Sequence, residues 1–79
     1  MQSSAWEHLT AQEYQIATLA AQGLTNRQIG ERLLLSHRTV GAHLYHIFPK
    51  LGISSRGQLP AALADRLSAG GSGLQDVSP

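Results

Sequence analysis

The hydrophobic positions fall into four groups with helical spacing, each opened by a residue suited to capping. In the run 36–50, SHRTVGAHLYHIFPK, about 100° per residue places Val40, Leu44, Ile47 and, just beyond, Leu51 on one narrow stripe. Arg38, Ala42, Tyr45 and Pro49 point the opposite way, with Thr39, Gly41 and His46 on the flanks. Upstream, Thr10-Ala-Gln-Glu13 has the spacing of a capping box, and Leu9 and Tyr14 are placed as a hydrophobic staple. The helix it opens carries Ile16, Ala17, Leu19, Ala20 and Ala21 and closes at Gly23, a residue suited to a left-handed C-terminal position. Thr25-Asn-Arg-Gln28 repeats the box for a second helix, with Ile29 and Leu33 facing inward and Gly30 between them. A glycine in mid-helix costs about 1 kcal/mol relative to alanine. Gly30 marks either a close crossing by another helix or a weak spot.

Leu34 and Leu35 leave room only for a tight turn before Ser36, a good N-cap for the third helix. Pro49 has no N–H for the carbonyl of Tyr45, which predicts a bend or an early end there, and Gly52 suits the terminus. Ser55-Arg-Gly-Gln58 opens a fourth helix through Leu59, Ala62, Leu63 and Leu67, with Pro60 in its early part. The expected fold is an all-α, compact four-helix domain over residues 9–67, in which helices two and three form a helix-turn-helix. Residues 1–8 have no clear period and read as a flexible lead-in, with Trp6 either packed on the first helix or loosely held. The glycine- and serine-rich residues 68–79 read as a disordered tail.

A chain of 79 residues makes one domain near the lower limit for a self-sufficient core, and with no cysteine its stability rests on helix packing. No apolar run approaches the roughly 20 residues that span a bilayer. The N-terminus lacks the regions of a signal peptide, so a cytoplasmic protein, or a cytoplasmic piece of one, is expected. The net charge of +1 is uninformative, but its distribution is not. Between residues 27 and 56, Arg27, Arg32, Arg38, Lys50 and Arg56 stand against Glu31 alone; chance clustering in a short chain is the alternative.

The outward face of 36–50 combines cations, polar groups and small residues with no carboxylate, whereas an ordinary solvated face mixes both signs. Such a face suits the edge of a polyanion, and a shallow residue such as Ala42 lets a helix sit deep in a groove. It therefore reads as a DNA recognition helix. Arg38, Gly41, Ala42, Tyr45 and His46 are the base-facing candidates: arginine bonds guanine O6 and N7, and Ala42 fits a thymine methyl. The backbone N–H groups from Ser36 to Arg38 offer a phosphate site at the helix N-terminus. His37, His43 and His46 point in different directions with no carboxylate or cysteine alongside, so no metal is expected, nor any cofactor. Glu13 and Arg56, both at helix starts, are candidates to pair across the bundle; a solvated Arg56 is the alternative.

At this point the residues carry a resemblance. LTxxE at Leu9–Glu13, GLTNRQIGERL at Gly23–Leu33, LSxRTVxxHL at Leu35–Leu44 and KLGISSR at Lys50–Arg56 together resemble the C-terminal DNA-binding domain of LuxR-type transcription regulators. The resemblance covers about two-thirds of the chain. It implies that Asn26, Arg27, Thr39 and Lys50 touch phosphates, beside Ser36 at the helix start. It also implies dimerisation through the fourth helix, here Ala62, Leu63 and Leu67, and RNA polymerase as a further partner. Family members usually carry a lysine where this chain has Gly41. The segment TVGAHLYHIFPKLGISSR is most similar to the large ATP-binding LuxR-type regulators.

Four to six neutralised phosphates per monomer would give a log–log salt slope of about −4 to −5 per half-site. The competing reading is a small helical protein-interaction domain whose third-helix face binds an acidic partner, and the absence of lysine at 41 keeps it open. No nucleophile–base pair, phosphate loop or metal constellation suggests an enzyme.

Overall fold

The computed structural model describes residues 5–66. Three helices, α1 (Ala11–Ala21), α2 (Asn26–Leu33) and α3 (His37–Leu51), are followed by a fourth, α4, helical over 59–66 after a single 3-10 turn at Arg56–Gln58. The all-α helix-turn-helix expectation holds. The expected continuation to Leu67 and the tail 68–79 lie outside the described residues.

The capping chemistry read from the sequence sets where the first three helices start. Thr10 Oγ1 accepts the N–H of Glu13 at 3.1 Å while Glu13 Oε1 accepts that of Thr10 at 2.9 Å. Thr25 and Gln28 make the same reciprocal pair at 3.1 and 2.8 Å. Ser36 Oγ accepts the N–H of Thr39 at 3.0 Å and opens α3. At the fourth start, the Gln58 side chain accepts the N–H of Ser54 at 2.7 Å and of Ser55 at 3.0 Å, and the first turn is 3-10.

The three helix ends share one device. Past α1, Gly23 is left-handed at φ 99°, and Leu24 N–H reaches back to the Leu19 carbonyl at 3.2 Å. Past α3, Gly52 is left-handed at φ 71°, and Ile53 N–H reaches the Phe48 carbonyl at 3.0 Å. Past α2 the same geometry is built on Leu34, at φ 61° and ψ 43°, with Leu35 N–H on the Gly30 carbonyl at 2.8 Å. A leucine in this conformation costs about 1–2 kcal/mol through crowding of its Cβ. Its side chain is 90% exposed, so packing does not offset that cost.

Gly30 is explained by the same turn. A Cβ there would stand 2.3 Å from the Leu35 carbonyl oxygen. The close neighbour is therefore the backbone of the connection, not a crossing helix. Of the bend or early end expected at Pro49, the early end does not occur: α3 runs through the proline and ends at Leu51, with Gly52 as its C-cap. Pro49 forfeits one hydrogen bond on an exposed face, and its own carbonyl accepts the Gly52 N–H at 3.1 Å.

The core is one cluster drawn from every element. Ile16, Ala17 and Ala20 come from α1, Ile29 from α2, Val40, Leu44 and Ile47 from α3, and Leu59 from α4. Helix α3 packs against α1, α2 and the N-terminal turn, so its apolar stripe is the shared surface of the domain. Within the lead-in read over residues 1–8, Trp6 takes the first of its two alternatives and packs on α1. Ala5–His8 form a 3-10 turn and Trp6 is buried, its ring 5.8 Å from that of Tyr14 at an interplanar angle of 81°. An edge-to-face aromatic pair and a large apolar ring have enough to gain from burial to order a short turn.

Candidate nucleic-acid interface

Burying Val40, Leu44 and Ile47 obliges the other side of α3 to face solvent. Arg38, Ala42, Tyr45, His46 and Pro49 are all exposed, and Gly41 is half-buried at the edge toward α2. Tyr45 is 76% exposed and meets His46 edge to face at 5.8 Å. The base-facing candidates therefore lie on one exposed face, with Gly41 at its margin. His43 is half-buried on the flank. Among the described residues, no group of three or more histidines, cysteines or carboxylates could hold a metal ion.

Ser36, Thr39 and Arg27 are exposed around the two helix starts. Ser36 Oγ also donates to Thr39 Oγ1 at 2.9 Å, which holds the first turn of α3. The N–H groups at the beginning of that turn point outward, away from any intrahelical acceptor.

Two long-range contacts redraw the electrostatics expected from sequence. Glu13 pairs with Lys50, Nζ to Oε1 at 2.8 Å, and not with Arg56. The Lys50 hydrogen bond, followed by the Thr10 backbone N–H, holds the Glu13 carboxyl below the usual glutamate range. Lys50, assigned to phosphate from the sequence, thus has its ammonium shared with a buried carboxylate of α1. Its side chain is 37% exposed, so part of the charge still reaches the surface.

Arg56 turns the other way. One guanidinium nitrogen donates to Asn26 Oδ1 and the other to the Leu24 carbonyl, both at 2.5 Å. This fork ties the start of α4 to the start of α2. Nothing local announces either contact, since the partners stand 37 and 30 positions apart. The signal available was that Glu13, Asn26, Lys50 and Arg56 all fall within the four family-like words.

Ala62 and Leu63, assigned to a dimer interface, are half-buried against the domain's own core, whereas Ala61 and Ala64 are exposed. Leu67 lies outside the described residues.

Residues 7–62 match the family described as bacterial regulatory proteins, luxR family. The chain belongs to this luxR family. It is 44% identical over 61 residues to a Mycobacterium bovis protein named as an HTH-type transcriptional regulator, covering 77% of this chain and 7% of that protein. The Bacillus subtilis transcriptional regulatory protein LiaR is 44% identical over 52 residues, which is 66% of this chain and 25% of that one. The oxygen regulatory protein NreC of Staphylococcus aureus is 40% identical over 57 residues, 72% of this chain and 26% of that one. The chain therefore spans a small fraction of the luxR-family relatives it matches. No solved structure matches it significantly.

Proposed function

We propose that this luxR-family domain is the DNA-binding output module of a longer transcription regulator, with α3 entering the major groove. The observation that carries the reading is the exposed face of α3. Arg38, Ala42, Tyr45 and His46 project from a helix whose opposite stripe is locked into the core, with no carboxylate on the helix. A shallow centre between longer polar side chains fits base edges, while Asn26, Arg27, Ser36 and Thr39 flank it where the duplex backbone would run. Lys50 and Arg56 act chiefly by holding α1, α2 and α4 in place around that face.

The regulators named for the mycobacterial relatives are about fourteen times longer than the stretch they share with this chain. That length favours the large ATP-binding type over the shorter relatives, in which the shared stretch is about a quarter of the protein. In such a protein the domain acts in the cytoplasm as a dimer on DNA, with RNA polymerase as the onward partner.

Gel-shift titration of a duplex at two or more salt concentrations tests the reading. Arg27 and Arg38 are exposed, and Lys50 and Arg56 contribute partially, so about two to three phosphates are neutralised per monomer. The expected log–log slope is about −2 to −3 per half-site, shallower than the basic residues alone would suggest. A flat salt response from folded protein, or tighter binding to an acidic peptide than to DNA, would transfer the face to a protein partner.

A further inference from the structure

The face built from α1 and the last turn of α2 carries features that the recognition helix does not use. Tyr14, Gln15, Thr18 and Leu19 of α1, with Arg32 and Leu33 of α2, line an open groove of about 340 Å³. None of these residues belongs to α3, so the groove is separate from the exposed face of that helix. Its aromatic wall is held on two sides. The Tyr14 ring meets Trp6 edge to face at 5.8 Å, and the Arg66 guanidinium lies over it, 5.4 Å from the centroid. A ring fixed in this way loses little further freedom when a ligand covers it. Leu34 follows directly on Leu33, left-handed at φ 61° and 90% exposed. Neither packing nor backbone preference accounts for a leucine there, and strained residues of this kind collect at binding sites. The charge is one-sided. No carboxylate lines the groove, and among the described residues neither Arg32 nor Arg66 has an ion-pair partner.

We propose that the α1–α2 groove, together with Leu34 beside it, docks an acidic amphipathic helix of a partner protein. Aliphatic side chains three or four residues apart on that helix pack on Tyr14, Leu19, Leu33 and Leu34. Its carboxylates meet Arg32 and Arg66, two cations that the domain itself leaves unpaired. A second copy of this face is the poorer occupant, because it would bring arginine against arginine. The proposal stands whether or not α3 binds DNA.

The probe is an acetylated and amidated peptide of about 16 residues, with leucines at i, i+3, i+4 and i+7, glutamates beside them and alanine elsewhere. One control carries lysine in place of glutamate. A second keeps the composition in an order that scatters the leucines around the helix. In NMR titrations without DNA, the glutamate peptide should shift the amides of residues 14–19 and 32–34 and leave those of residues 38–45 in place. Both controls should bind at least about fivefold more weakly. Leu34→Gly should raise the Tm and yet weaken the glutamate peptide about tenfold, because it removes a side chain from the interface and none from the core. Arg32→Glu should reverse the preference between the glutamate and lysine peptides, a ratio that a small change in stability does not move.

Wild-type peptide affinity in Leu34→Gly overturns the proposal, and so does a glutamate peptide that binds no better than its controls. Self-association of the wild-type chain that Leu34→Gly abolishes, with no peptide binding, overturns it by assigning the face to a second copy. Salt-dependent binding to a duplex is read separately, and none of these outcomes bears on it.

Discussion

At the scale of single residues, side chains carry jobs that their identity alone does not disclose. Glu13 closes the capping box of α1 and grips Lys50 of α3 with the same oxygen. Its carboxyl titrates below the usual range, so the ionised form is the stabilising one. That stabilisation is fully present above the unfolded glutamate value of about 4.3 and is lost as pH falls through the lower, folded value. Glu13→Gln keeps an acceptor for the Thr10 N–H but drops the charge. Its deficit against wild type should be on the order of 1 kcal/mol near neutral pH and shrink toward zero below about pH 4, read by thermal melts across pH. Leu34 presents the opposite case, a residue whose conformation resists its chemistry. Leu34→Gly relieves the left-handed strain without losing a packed side chain, so a gain of about 1 kcal/mol is expected, a rise of several degrees in Tm. A lower Tm would mean that the exposed leucine has a folding role the turn geometry does not account for.

At the scale of elements, the angle between α2 and α3 decides how the recognition face is presented. The connection between them packs its backbone tightly on α2, with the Leu35 carbonyl against the bare Cα of Gly30. Gly30→Ala improves helix propensity locally, yet its Cβ at 2.3 Å from that oxygen forces the connection to move. The expected net effect is a loss of about 1–3 kcal/mol, measured by denaturant unfolding, with weaker DNA binding in the fraction that remains folded. Unchanged stability would show that the turn has slack. The helix starts were legible because capping boxes are local, three residues apart and chemically distinctive. The turn at Leu34 was not, because leucine signals burial, and here the chain needs only its backbone dihedrals. Pro49 marks the last turn without stopping it: one missing hydrogen bond on an exposed face is too small a loss to end at once a helix anchored by Ile47 and Leu51.

At the scale of the whole molecule, one α3 in a groove would cover only a few base pairs, so two copies are expected for selecting a site among genomic competitors. A single short helix such as α4 buries far less than the roughly 1,000 Å² of a stable interface, so a monomer or weak dimer is expected without DNA. Leu63 packs against the core, and Leu63→Glu should therefore lower the melting temperature as well as any dimer contact. Ala64 is exposed and is the cleaner probe. Ala64→Glu should melt like wild type and lose cooperative binding to paired half-sites about one helical turn apart, in a gel-shift series over spacing. Cooperativity that survives the substitution would move the contact away from this face of α4, and binding indifferent to spacing would remove the dimer.

The sequence by itself determined four helices, three of their starts, the apolar stripe of α3 and the polar face behind it. These follow from periodicity and from contacts three or four residues apart, which the covalent chain brings together whatever the fold. Only the tertiary structure decided that Glu13 belongs to Lys50 and not to Arg56, that Arg56 bonds Asn26 and the Leu24 carbonyl, and that Trp6 is buried. Each of those depends on which helix ends are packed side by side. Charge and residue type restrict such partners to a few candidates, and the geometry of the shared core selects among them.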